Sequence, residues 1–152
     1  MNVLPAGGSV VVASGTITTV TTVGTVTTAG TPAVPTTPYF VNSAASTNGA
    51  LILTGTSGLQ AFHATNTGAG AAYVKLYNKA TAPTVGTDVP EMIIPVPAAV
   101  AGVPGVAQTL SFNFNSFRFA LGLGIAITGG AADTDTTPVA AGQVKVKLSR
   151  TV

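Results

Sequence analysis

Charge is the scarcest property of this chain: only 7% of its 152 residues are Asp, Glu, Lys or Arg, where an ordinary soluble domain carries roughly a quarter. Cysteine and tryptophan are missing altogether, and there is one histidine. Without cysteine there are no disulfides and no thiolate metal sites, and the redox compartment stays open. The six basic residues, Lys75, Lys79, Arg118, Lys145, Lys147 and Arg150, are scattered along the sequence, and the formal net charge is only +2. Such a set does not neutralise a run of phosphates, so nucleic acid is not expected as a specific partner. Long apolar runs are missing too. The most apolar stretch, 92–107, is broken by Pro95, Pro97, Gly102, Pro104 and Gly105 and is too short to span a bilayer, so no membrane partner is expected. Residues 1–8 have no basic residue followed by an apolar run and do not read as a secretory signal.

Groups able to do chemistry are equally thin. Acid–base or nucleophilic catalysis needs two or three polar groups held together, with at least one pKa adjusted to the task. His63 lies between Phe62 and Ala64 in a strand-like stretch and reads as a structural or interface residue. The acids are Asp88, Glu91, Asp133 and Asp135. Asp133 and Asp135 alternate in a Gly-rich segment, where carboxylates collect a hard cation in some loops. The ordered set of oxygen ligands is absent here, and Asx-type turns at a loop tip are the simpler reading. No phosphate-loop, zinc-protease or nucleophile-elbow motif occurs. The chain is expected to be no enzyme and to hold no cofactor or metal, an enzyme surviving only if His63 meets Asp133 or Asp135 in a cleft.

What the sequence has is apolar and hydroxyl side chains, the hydrophobic residues amounting to 46%. Neutral hydroxyls are cheap to bury at a subunit contact when they find partners, whereas unpaired charges are costly there. The composition therefore favours a surface destined for assembly, the competing reading being a monomeric secreted β-domain with a Thr-rich face. Two textures meet near the Pro-rich stretch 31–38, and the boundary is drawn between residues 1–41, an extended Val/Thr/Gly/Pro-rich arm, and residues 42–152, a folded domain. In the arm Ile17, Val20, Val23 and Val26 recur every third residue, a period that suits neither strand nor helix. An extended chain turning once in three residues presents one apolar face, and three such chains pack around an axis. Two short strands broken near Gly24, or an arm lying on a partner, fit the same residues.

The second region reads as about eight short strands, at 50–54, 59–66, 72–78, 91–96, 107–113, 117–120, 123–128 and 143–149. Turn formers separate them: Gly55 and Gly58, Gly68 and Gly70, Pro83 and Gly86, Gly102 and Gly105, Gly129 and Gly130, Pro138 and Gly142. This spacing predicts an all-β sandwich or jelly roll. Val144, Val146 and Leu148 alternate with Lys145, Lys147 and Ser149, giving one core face and one wet or interfacial face. Lys75, between Val74 and Leu76, is expected to behave in the same way. Ile125 and Ile127 belong in the core, where each fully buried side chain contributes about 1.5–3 kcal/mol. Phe112, Phe114, Phe117 and Phe119 read as packing anchors at a corner.

One stretch is informative as a whole: Tyr73-Val-Lys-Leu-Tyr-Asn-Lys-Ala-Thr-Ala-Pro-Thr-Val-Gly-Thr-Asp-Val-Pro, then Ile93-Ile-Pro-Val-Pro, then Gly124-Ile-Ala-Ile-Thr-Gly-Gly-Ala-Ala-Asp-Thr-Asp-Thr-Thr. It resembles a recurrent domain of tailed-phage and prophage virion proteins, over about residues 45–149. The resemblance implies a β-sandwich that forms trimers, a place on the virion of the capsid-decoration or tail-accessory kind, and no catalytic residues. Its expected partners are further copies of itself and the major capsid protein or another virion protein. A decoration or cement subunit gains stability by adding contacts to an assembled shell; a standard interface buries ~1,200–2,000 Å², and repetition makes weak contacts cumulatively strong. A tail-tube, fibre or baseplate accessory protein is the alternative. A carbohydrate-binding attachment module is the second, for which only Tyr39, Tyr73 and Tyr77 would offer stacking faces.

Overall fold

The computed structural model describes residues 36–107, 110–111 and 117–151. Among these residues ten strands make two antiparallel sheets: β1 (Thr36–Asn42), β2 (Ala50–Thr54), β3 (Ser57–Asn66), β4 (Ala72–Asn78), β5 (Met92–Val96), β6 (Gly105–Val106), β7 (Leu110–Ser111), β8 (Phe117–Phe119), β9 (Gly122–Thr128) and β10 (Val144–Thr151). The first sheet runs β1-β10-β3-β6, with β7 and β8 also pairing β3, and the second runs β2-β9-β4-β5. Among the described residues there is no helix, as the β-rich composition predicts. The architecture is a β-sandwich.

The period-two pattern decides the core. Leu59, Phe62 and Ala64 from β3, Val144, Val146 and Leu148 from β10, and Phe119 from β8 point inward from the first sheet. They meet Val74 and Leu76 from β4, Ile94 and Val96 from β5, and Leu123, Ile125 and Ile127 from β9. Ile125 and Ile127 are fully buried, as their place in an alternating apolar strand requires. Pro95 is tolerated because β5 is an edge strand, where a missing N–H leaves no inner ladder broken.

Two strands were not legible as such. Thr36–Asn42 falls within or against the arm by composition, yet it pairs with β10 along its whole length, from Thr36 opposite Thr151 to Asn42 opposite Lys145. The sandwich therefore begins at β1, and the boundary at 41/42 cuts through a strand. Tyr39 and Val41 pack on the core while Pro38 and Phe40 face outward. The predicted strand at 107–113 is likewise not one strand. Along its free side β3 meets β6 at Thr65 and Asn66, β7 at Ala61 and Phe62, and β8 at Ser57, Gly58 and Leu59. These three short pieces line one edge in succession. Residues Ile17, Val20, Val23 and Val26 of the arm, and Phe112 and Phe114, lie outside the described residues.

Candidate functional site

The two sheets treat their outer faces differently, and Lys75 makes the contrast plain. In β4 the inward residues are Val74 and Leu76, so Tyr73, Lys75 and Tyr77 project from the outer face of the second sheet. Alternation predicts a wet lysine there. Lys75 is instead completely buried. Its Nζ donates to the carbonyl oxygens of Ala132 (2.6 Å), Asp135 (3.2 Å) and Asp133 (3.4 Å), all in the β9–β10 loop. Burial pulls the Lys75 ammonium below its ordinary pKa of 10.5, against the attraction of the Asp135 and Asp133 carboxylates. The neighbouring strand explains how a loop comes so close: β9 places Gly122, Gly124, Ala126 and Thr128 on that outer face, and all seven of its residues are buried.

A second loop, residues 79–91, closes over the same face. Asp88 accepts hydrogen bonds from Lys79 Nζ and from the Thr84 backbone (2.6 Å), and the Lys79 bond foremost holds its carboxyl below the usual range. Gly86 takes a φ of +90°, and a Cβ there would stand 2.5 Å from Thr136 Cγ2 of the other loop. Only glycine permits that backbone and that approach together. Tyr77 is fully buried beneath these loops with no hydrogen-bond partner for its hydroxyl. Burial, with Asp88 and Asp133 adding to it, pushes its pKa up.

The Gly-rich segment with Asp133 and Asp135 is the other half of this lid. Asp135 Oδ2 accepts from the backbone of Gly130 (2.9 Å) and Thr137 (3.2 Å), and Oδ1 accepts from Thr137 Oγ1 (2.8 Å). Burial raises its pKa, but these hydrogen bonds and Lys75 outweigh it and leave the carboxyl lowered. The carboxylate is thus spent on an Asx-type turn. Among the described residues no three His, Asp or Glu side chains gather into a metal-binding group. His63 stands on the outer face of the first sheet, between inward-facing Phe62 and Ala64. The whole core separates it from Asp133 and Asp135, so the constellation an enzyme reading requires does not assemble. The tyrosines fare no better as sugar platforms: Tyr77 is buried and Tyr39 packs on the core, which leaves Tyr73 half-buried.

The first sheet's outer face carries no such lid among the described residues. Phe40, Lys147 and His63 stand side by side across β1, β10 and β3, flanked by the row Pro38, Ser149, Ala61 and Ser111 and by the row Asn42, Lys145, Thr65 and Val106. Lys147 Nζ lies 5.6 Å from the centroid of the Phe40 ring, a cation–π contact. Phe40 is nevertheless 62% exposed. Pro38, Phe40, Ala61, Phe62, His63, Lys147, Leu148 and Ser149 line an open groove of ≈ 280 Å³. Sequence reasoning missed Phe40 by treating it as part of the arm, although Tyr39 and Val41 alternating with Pro38 and Phe40 are a strand signal.

Charge is divided between the two sides. Arg118, Lys145, Lys147 and Arg150 all belong to the first sheet, which holds no acid; all four acids lie in the two lid loops, with Lys79, and Lys75 lies beneath them in β4. The only ion pair among the described residues joins Lys79 to Asp88, inside the lid. Arg150, opposite Thr37 and Leu59, turns toward the interior at the sandwich end, where its Nε and Nη1 are buried without an acceptor. In sequence comparisons the chain matches no family model and no curated protein.

Proposed function

We propose that this protein is a structural subunit of a phage virion, a capsid decoration or cement protein that trimerises and binds the assembled shell, and that it performs no catalysis. The observation that carries this reading is where the ionised groups lie. Lys75 is the first charged side chain in the chain, so β1, β2 and β3 carry none. Apart from Arg150, which turns inward, the charges that follow are divided between the lid, where Lys75, Lys79, Asp88 and Asp135 hold loops in place, and the open face that carries exposed Phe40. An apolar face rimmed by a few cations suits contact with other protein.

The strand order supports the same reading. Taking β6, β7 and β8 as one interrupted strand, the sandwich has eight, and the first and last are neighbours in one sheet while the second and the second-to-last are neighbours in the other. We read this as the two-Greek-key scheme of a jelly roll, a fold used for capsid domains and for lectins. Fold alone does not assign a function; the resemblance of residues 73–90 and 124–137 to virion domains favours the capsid over the lectin, and the burial of Tyr77 weighs against sugar stacking.

The test is co-sedimentation of the purified chain with assembled shells of the phage that encodes it, followed by immunogold labelling of particles. Binding to heads at saturable stoichiometry is the expected result. Label confined to tails would replace the decoration role with a tail-accessory one. A strict monomer that binds no part of the particle would overturn the proposal.

A further inference from the structure

We infer that the open face of the first sheet docks head-to-tail on a second copy of this chain, with the Asp88-Val89-Pro90-Glu91 corner of one copy seated in the Phe40 groove of the next. This rests on the assembly reading above and names the surfaces it uses. The corner precedes β5 on the acidic side of the sandwich. Val89 is 74% exposed, the most exposed large apolar side chain among the described residues, and it stands between two acids. Asp88 is already held by Lys79, whereas Glu91 is exposed and without an ion pair. The groove is the converse surface: apolar along Pro38, Phe40 and Ala61, with Lys147 at its rim and Lys145 two residues along the same strand. Among the described residues neither cation has a carboxylate partner.

Charge complementarity selects this occupant over another copy of the same face. Two outer faces of the first sheet pressed together would oppose Lys145, Lys147 and Arg118 to themselves with no acid present, and like charges brought together across an interface are unfavourable. A face meeting the lid loops brings Lys145 and Lys147 to the unpaired Glu91, and an exposed aromatic groove to an exposed valine. Because the two surfaces differ, the contact is heterologous. Such a contact generates closed rings where the rotation closes, which is how a cyclic trimer forms, and open filaments where it does not.

The experiment is sedimentation equilibrium of the chain and five variants, with circular dichroism to verify folding. Lys147→Glu and Glu91→Lys alter exposed side chains, and each is expected to weaken self-association by about tenfold or more. Both in one chain reverse the two charges and are expected to restore it to within about threefold. As the chain has no cysteine, Phe40→Cys with Val89→Cys in one chain should yield a disulfide-linked ladder of oligomers, while Phe40→Cys alone should remain uncrosslinked. Efficient dimers from Phe40→Cys alone would mean that the face pairs with itself and would overturn the inference. So would an oligomer indifferent to both charge changes, which leaves the assembly reading standing on another surface. A monomer at every concentration that also ignores shells removes both.

Discussion

Among the described residues the second sheet is covered on both faces and the first on only one, although both are built from the same alternating Val, Ile, Thr and Ala strands. The difference lies in the loops. Residues 79–91 and 130–137 fold back over β4 and β9, and the small outward residues of β9, with Gly86 between the loops, let them approach. Among the described residues no such loop lies over the outward side of β1, β10 and β3, and the β1–β2 and β3–β4 connections are short. A lysine under a lid becomes part of the interior, and a lysine on the open face remains available to another molecule. One residue type thus takes two roles, according to what the connections cover.

The largest effect should come from the core that the two sheets share. Ile125→Ala should cost about 2–5 kcal/mol, read as a fall in the denaturant midpoint, because Ile125 is wholly buried in the middle strand of the covered sheet. The lid should come next. Lys75→Met keeps most of the unbranched side chain but removes the donor to three carbonyls, and should cost about 1–3 kcal/mol with faster amide exchange in residues 129–137. Unchanged exchange there would mean that Lys75 does not hold the loop. Gly86→Ala should destabilise by more than about 1 kcal/mol, since the alanine meets both an unfavourable φ and Thr136.

Tyr77→Phe should act in the opposite direction, stabilising by about 1 kcal/mol, because it deletes a buried hydroxyl that has no partner. The pH dependence sharpens the same point. Lys75 has a folded pKa below 10.5, so between those two values the unfolded chain holds more protons and stability rises with pH. Tyr77 has a folded pKa above 10.0; from there upward the unfolded chain releases its proton first and stability falls. Lys75→Met should erase the rise and Tyr77→Phe the fall. At the acid end Asp88 and Asp135, both lowered from 3.8, contribute stability that is lost as pH drops through their folded values. The smallest effect belongs to the open face. Phe40→Ser should change stability by no more than about 0.5 kcal/mol while weakening assembly. A large loss would make Phe40 a packing residue and end the contrast between the sheets.

Much of this fold can be read from the residues. β2 and β4 have the predicted limits, and β3, β5, β8, β9 and β10 differ from theirs by one or two positions, because period-two alternation bounded by glycine and proline is a strong local signal. β1 escaped because Pro38 and the flanking prolines make it look like a linker. β6 and β7 escaped as separate pieces because two-residue strands have no period. The lid escaped for a different reason. Lys75 alternates with Val74 and Leu76 just as Lys145 and Lys147 alternate with Val144, Val146 and Leu148, and the local pattern is the same in both.

Alternation therefore determined which side chains of β4, β9 and β10 face the core, since successive Cβ atoms point to opposite sides of a pleated sheet, while in β3 a bulge opposite Ser149 and Arg150 turns both Leu59 and Phe62 inward. What lies over the other side was decided only in three dimensions, where carbonyls of Ala132, Asp133 and Asp135 reach a lysine in a strand far back along the chain. A strand's own residues encode two faces. Whether a face meets water, a loop or another molecule depends on segments distant in sequence, and that choice separates a buried cation from one left for a partner.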